Sequence, residues 1–183
     1  MSSRELQVEL FGRQGSMNYS ESWLGYSILG LRALMAWIFI QGGLAKILDP
    51  EWSSTGFLEN SVVEANPFFE MFQFFLQHPE VVDPMIMYGQ LLIGLALLLG
   101  LAFRFAAAMG GLQMAFFWLA SFEGGFIAGL PVEHGFLVTE TLVYVVLLFG
   151  LGAWGAGRLY GLDTKIEEQE LVEENPWLKY FLG

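Results

Sequence analysis

Residues 84–122 read PMIMYGQLLIGLALLLGLAFRFAAAMGGLQMAFFWLASF, and Arg104 is the single charge in the stretch. At 1.5 Å per residue one continuous helix over this length would extend roughly 58 Å, about twice the ~30 Å hydrocarbon thickness of a bilayer. The stretch therefore reads as two membrane spans, 84–103 and 105–122, joined by a tight turn at Ala102–Phe105. Two further apolar stretches flank it. Trp23–Leu48 is interrupted by Arg32, and Gly135–Trp154 carries only Glu140. The expected architecture is all-α: a four-helix transmembrane bundle forming one membrane domain over 1–183, with an outer segment 49–83 and a tail 155–183.

Composition supports this reading. Apolar side chains make up 55% of the 183 residues against 15% charged, which is too apolar for an ordinary soluble domain. Cysteine is absent, which removes thiolate, disulfide and iron–sulfur chemistry from this chain, so any redox role needs a bound cofactor, a quinone or a partner subunit. The net charge of −11 argues against nucleic acid as a partner and against docking on anionic lipid. An acidic surface of this kind suits a salt-rich cytoplasm.

Cationic segments stay on the cytoplasmic side. Arg4 and Arg13 precede the first span, Arg104 sits in the tight turn, and Arg158, Lys165 and Lys179 follow the last span, whereas Asp49–Asp83 has seven acids and no cation. Both termini are expected to be cytoplasmic. Tyr19, Trp23, Tyr26, Trp154 and Tyr160 would form the inner aromatic belt, with Trp52 and Trp118 toward the outer one. The first twenty residues are polar, so no signal peptide is expected.

The outer segment is too long for a bare connection. Asn66 can cap a helix that begins at Pro67 and continues through Phe68, Phe69, Met71, Phe72, Phe74, Phe75 and Leu76. Such an interfacial helix is either a lid over an outer pocket or an anchor that covers helix ends. Asn175 and Pro176 repeat the pattern in the tail, after an acidic run, Glu167–Glu174, that reads as a solvated helix face.

Charges inside a span cost about 2.5–3.5 kcal/mol on insertion scales, so Arg32 and Glu140 are expected to face the bundle interior and find partners. Counted from Trp23 and Trp154, they would lie about 13 Å and 21 Å deep, a gap that an extended arginine nearly bridges. The same counting predicts two polar layers: an outer one of Lys46, Gln90, Glu140 and Tyr144, and an inner one of Arg32 and Gln113. These residues are the candidate site, with Arg32 and Glu140 as catalytic groups and Lys46, Gln90, Gln113 and Tyr144 holding a quinone head group or small anion. The alternative is a structural ion pair with interhelical hydrogen bonds, worth about 0.6 kcal/mol each.

Gly150, Gly152 and Gly155 fit a dinucleotide-binding spacing but lack a surrounding βαβ unit, so close helix packing explains them better, as it does Gly42, Gly43, Gly94, Gly110 and Gly111. His78 and His134 fall in outer segments, which excludes a transmembrane bis-histidine haem held by this chain alone. A metal at His78 or His134 with Glu80 or Glu133 is the remaining metal option, against plain polar surface; no metal is assigned.

Taken in order, Arg32, Phe39, Gly42, Gly43, Leu44, Ala45, Lys46, Leu48 and Asp49, then Gly94, Leu97, Leu98, Leu99, Gly100, Leu101 and Arg104, then Gly155, Ala156, Gly157, Arg158, Gly161, Leu162 and Asp163 resemble the DoxX family, including its DoxD-like branch. The resemblance covers roughly Leu29–Asp163. Many members carry Glu where this chain has Gln90, which would move a proton-carrying role to Glu140. The resemblance implies a membrane subunit of respiratory or sulfur-linked oxidoreductases, the DoxD-like branch being linked to thiosulfate:quinone oxidoreductase. Quinone, other membrane subunits or further copies of the chain, and membrane lipids are the expected partners. A non-catalytic assembly subunit and a small anion or proton carrier are the competing functions.

Overall fold

The computed structural model describes residues 3–122 and 138–183. Two β-strands, β1 (Ser3–Leu10) and β2 (Arg13–Ser20), precede helix α1 (Glu21–Leu48). The helices α2 (Ser54–Ser61), α3 (Phe69–Leu76), α4 (Pro79–Leu99), α5 (Phe103–Ala120) and α6 (Glu140–Ala153) follow. A 3-10 turn (Ala156–Arg158), short helices α7 (Asp163–Glu167) and α8 (Glu170–Glu174) and a 3-10 segment (Pro176–Tyr180) complete the chain.

Helices α1, α4 and α5 are long and apolar enough to cross a membrane, and α6 is a shorter apolar helix. The expected turn is present, shifted by two residues. Gly100 ends α4 with φ 62°, Ala102 follows with φ 44°, and α5 starts at Phe103. The second span starts five residues earlier than expected, because Pro79 at the first helical position supplies a start signal ahead of Pro84.

The amino-terminal region corrects the all-α expectation. Strands β1 and β2 pair antiparallel from Ser3↔Ser20 to Leu10↔Arg13, around Phe11 and Gly12 with φ 53° and 73°. Two consecutive left-handed residues make the two-residue turn whose twist matches a hairpin. Glu5, Gln7 and Glu9 alternate with Leu6 and Val8, the period-2 pattern of a strand. Arg4 then pairs with Glu21 at 2.7 Å, tying the hairpin to the start of α1.

Two tight pairs, α1 with α4 and α5 with α6, make the bundle, and α4 touches α5 over a shorter length. Glycine sets the first pair. A Cβ on Gly43 would lie 2.7 Å from Leu91 N, and one on Gly94 would lie 2.7 Å from Ile40 N. The two backbones are therefore closer than any side chain allows. Phe39, Leu97, Phe103, Met114, Leu148 and Leu151 fill the common core. At Gly111 and Gly150 a Cβ would meet nothing within 4 Å, so packing does not explain those two glycines.

Helix α3 starts two residues after its expected Pro67, and α2 was not expected at all. Leu58, Val62 and Phe72 form a second cluster with Ala120 at the far end of α5. Asn66 joins these parts. Its Oδ1 accepts from Phe68 N at 2.8 Å, while its Nδ2 donates to Leu119 O at 2.8 Å, satisfying a carbonyl at the end of α5.

Candidate functional site

The α1–α4 register explains where Arg32 goes. Gly43 faces Leu91 and Gly94 faces Ile40, so in the same register Arg32 lies opposite the Gly100–Ala102 turn. Helix α1 continues from Arg32 back toward the hairpin, and Ile28 in that part is buried in the common core. Arg32 is 7% exposed, and its guanidinium donates to Ala156 O at 2.8 Å, Leu159 O at 2.6 Å and Leu98 O at 3.2 Å. It thus satisfies carbonyls at the end of α4 and in the segment after α6.

Asp163 is the second charge at this end, and it is fully buried. Its Oδ1 accepts from Ala102 N at 2.7 Å, and its Oδ2 accepts from Phe103 N at 3.0 Å and Gly183 N at 2.8 Å. A carboxylate there satisfies free donors at the start of α5 and sits at the positive end of its dipole. Asp163 N in turn donates to Gly100 O, and Leu162 N to Leu99 O. The Asp163 charge acts on Arg32 without a contact ion pair between them. Sequence reasoning missed Asp163 as a site residue, although it stands in the motif after Gly157 and Gly161.

Glu140 does not meet Arg32. It is the exposed first residue of α6, with no hydrogen bond or ion pair among the described residues. The expected depth of 21 Å assumed a helix that places Glu140 well inside a span; as the first helical residue it sits at an end instead.

The two predicted polar layers also separate. Lys46 and Gln90 come together around Gly42: Lys46 Nζ donates to Gly42 O at 3.1 Å, and a Cβ on Gly42 would lie 2.9 Å from Gln90 Nε2. Lys46 also lies 5.5 Å over the Trp52 ring. Gln90 is 4% exposed and its Oε1 has no hydrogen-bond partner. Tyr144 packs against the common core rather than joining them. Gln113 is remote from Arg32: its Nε2 donates to Ile86 O at 3.4 Å, whereas Arg32 reaches Leu98 O. Twelve residues of α4 separate those carbonyls, about 18 Å.

Gln113 instead lines a cavity of about 490 Å³ between α3, α4 and α5. The wall is apolar and aromatic, including Phe72, Phe75, Phe116 and Phe117, with Gln113 and His78 as its polar side chains. Phe57 stacks edge-on against Phe117 at 5.7 Å and Phe75 against Phe116 at 6.2 Å, so α2 and α3 are stitched to α5 over the cavity. Met85, Val81, Met109 and Leu112 are exposed members of the wall. The cavity is therefore open on the side that these residues line. Gln113 Oε1 is buried and has no partner.

A family model described as DoxX matches residues 27–123, more than half of the chain. The chain belongs to the DoxX family. No curated protein and no solved structure matches it. The matched DoxX region contains most of α1 and all of α2, α3, α4 and α5, hence both Arg32 and the whole cavity. Together with three membrane-capable helices, it makes this a membrane protein of the DoxX family. Arg32 and Gly100, inside the matched region, meet Ala156, Gly157, Gly161 and Asp163, which follow it, at the α4–α5 turn. A Cβ on Gly100 would lie 2.7 Å from Gly161 Cα and 3.3 Å from the Arg32 guanidinium. This cluster therefore holds helix ends together.

His78 Nδ1 lies 3.3 Å from Glu80 Oε1 at the cavity rim, and its ring stacks 4.6 Å from that of Phe74. His134 and Glu133 lie outside the described residues. Among the described residues no group of three metal-ligating side chains assembles.

Proposed function

We propose that this DoxX-family chain is the membrane subunit of a quinone-linked respiratory or sulfur-compound oxidoreductase, holding the lipophilic carrier in the cavity between α3, α4 and α5. The cavity itself carries the reading. About 490 Å³ lies within the size range of small-molecule sites, and its wall is almost wholly apolar, with the half-buried Gln113 amide and His78 as its polar side chains. Aromatic rings suit a flat ring, and a sideways opening suits a ligand that arrives from the bilayer with its tail still in lipid. Gln113 replaces the proposed catalytic pair as the polar group facing the ligand, and Arg32 and Asp163 hold the frame. Thiosulfate as the electron source follows from the DoxD-like resemblance alone.

In this reading α6 completes a fourth crossing and both termini are cytoplasmic. The gathering of Arg4, Arg13, Arg104, Arg158, Lys165 and Lys179 outside the cation-free segment 49–83 supports that orientation. The direct test is purification of the full chain in mild detergent followed by lipid extraction. Bound quinone with a copurifying redox subunit is expected; finding neither overturns the proposal.

One observation favours an assembly role alongside it. A groove of about 430 Å³ between α5 and α6 is lined by Ala107, Ala108, Gly111, Gly152 and Ala153. Small residues admit the close approach of a neighbouring helix. If leucine at Ala108 and Gly111 left the oligomeric state and every copurifying subunit in place, this second role would be lost.

A further inference from the structure

We propose that the β1–β2 hairpin docks one of its faces on the anionic lipid surface that surrounds the start of α1. Residues directly opposite each other in an antiparallel pair project to the same face, and successive residues project to opposite faces. The register therefore sorts the hairpin in two. Arg4, Leu6, Val8, Arg13, Met17 and Tyr19 share one face, and Glu5, Gln7, Glu9, Gln14, Ser16 and Asn18 share the other. Both cations of the strands stand with the apolar side chains, and both acids stand on the polar side. The net charge of −11 opposes anionic lipid for the chain as a whole, but no acid of either strand lies on this face.

The apolar face is open. Leu6 is 46% exposed, Met17 is 57% exposed, and Phe11 at the tip is fully exposed. A two-stranded hairpin is marginal by itself in water, so such a face needs a cover. Its place in the chain says which one. Ser20 ends β2 and Glu21 begins α1 with no linker between them, and the Arg4–Glu21 pair pins the base of the hairpin there. Trp23 and Tyr26, exposed at the start of α1 with their rings edge-on at 6.4 Å, mark the level of the membrane interface. The hairpin thus starts at headgroup depth, and eight residues per strand at about 3.4 Å each reach roughly 27 Å along the surface. Laid on its apolar face, it brings Leu6, Met17 and Phe11 to the acyl boundary, while Glu5 and Glu9 stay in water. Arg4 is already engaged by Glu21, so Arg13, exposed beside the tip, is the cation that meets lipid phosphate. The other face would set two carboxylates against that phosphate.

The chain has no cysteine, so a single introduced thiol carries a label without ambiguity. Leu6→Cys and Met17→Cys put a fluorophore on the apolar face, and Gln7→Cys and Asn18→Cys put it on the other face one residue away. Each full chain is placed in nanodiscs of phosphatidylcholine with about 30% phosphatidylglycerol, a negative surface that attracts cations. Quenching is read with acrylamide in the water and with nitroxide on the lipid chains. The first two labels are expected to lose most of their acrylamide quenching and to gain nitroxide quenching, and the last two to show the reverse, an alternation with the period of a strand. In phosphatidylcholine alone, or with Arg13→Glu added, nitroxide quenching of the first two should fall; no fall under either condition overturns the choice of anionic lipid. Equal acrylamide quenching on both faces, or nitroxide quenching of the Gln7→Cys and Asn18→Cys labels instead, overturns the docking. Shielding of the Leu6→Cys and Met17→Cys labels without nitroxide quenching, present only while another subunit copurifies, assigns the face to a protein and overturns it as well. All four positions are exposed, so the labels leave the bundle core untouched, and either adjacent pair decides by itself.

Discussion

Buried polarity is used in opposite ways at the two ends of this bundle. Around the α4–α5 turn, Arg32 and Asp163 are both nearly inaccessible, and between them they make six hydrogen bonds to backbone groups from α4, α5, the segment after α6 and the last residue, Gly183. Toward the α2–α3 roof, Gln90 and Gln113 leave their amide oxygens without partners. Charges bonded to several backbone groups tie chain segments together. Neutral amides with unused acceptors cost stability, about 1–3 kcal/mol for each buried group left unsatisfied. That cost marks the end where a ligand has something to add. In this chain burial of charge therefore reads as architecture, and unspent hydrogen-bonding capacity reads as a site.

The largest expected effect breaks the paired end. Asp163→Ala strands three backbone N–H donors and leaves Arg32 without its opposite charge, and removal of one member of a buried charge system costs roughly 3–5 kcal/mol. In detergent the variant should lose most of its folded yield, read by size-exclusion profile and thermal unfolding. If Asp163→Ala unfolds with the wild type, the α4–α5 turn does not depend on this carboxylate. Gly94→Ala comes next. Its new Cβ would lie 2.7 Å from Ile40 N and 2.9 Å from Ala36 O, both backbone atoms of α1. The forced shift should cost about 1–3 kcal/mol and disturb the register that places Arg32 opposite the turn. Wild-type stability in Gly94→Ala would show that α1 and α4 do not meet this closely.

These variants also mark what could be read from the chain alone. The spans were legible because uncharged runs of the right length have few other uses, and the turn at Arg104 followed from bilayer thickness. The site was less legible. Counting from Trp23 gives a depth but no partner, and Arg32 bonds to carbonyls at the end of α4 and in the segment after α6. Asp163 lies in a polar tail whose hydropathy gives no sign of burial; its partners Ala102 and Phe103 are about sixty residues away in sequence. The hairpin at 3–20 hid in the same way, since Leu6 and Val8 alternate with charged and polar residues and the mean over the segment stays polar. Helix α2, STGFLENS, has few apolar residues and takes its place from the contact of Leu58 with the roof cluster. Asn66 and the aromatic run of α3 were legible as a helix start and its body. That they close over a cavity required the packing of α2 and α3 on α5, which no local pattern encodes.

A smaller effect of opposite sign sharpens the comparison at the other end. Gln90→Leu removes a buried oxygen that has no donor and keeps a similar volume against Gly42. Thermal unfolding should show stability unchanged or raised by up to about 1 kcal/mol. A loss of 2 kcal/mol or more would mean that the Gln90 oxygen has a partner, and that the two ends differ less than their hydrogen bonds indicate.

The smallest effect concerns Glu140, the acid whose position in an apolar stretch made it look buried. It is the exposed first residue of α6, at the positive end of that helix and without a hydrogen bond or ion pair among the described residues, so Glu140→Gln should change stability by no more than about 0.5 kcal/mol. Arg32→Met offers the matched control: similar length, no charge, and three backbone carbonyls left without a donor. If Glu140→Gln proved as damaging as Arg32→Met, the two residues would share an environment after all. The carboxylate would then have to lie inside the bundle, and the division between a paired end and an unspent end would fail at its simplest point.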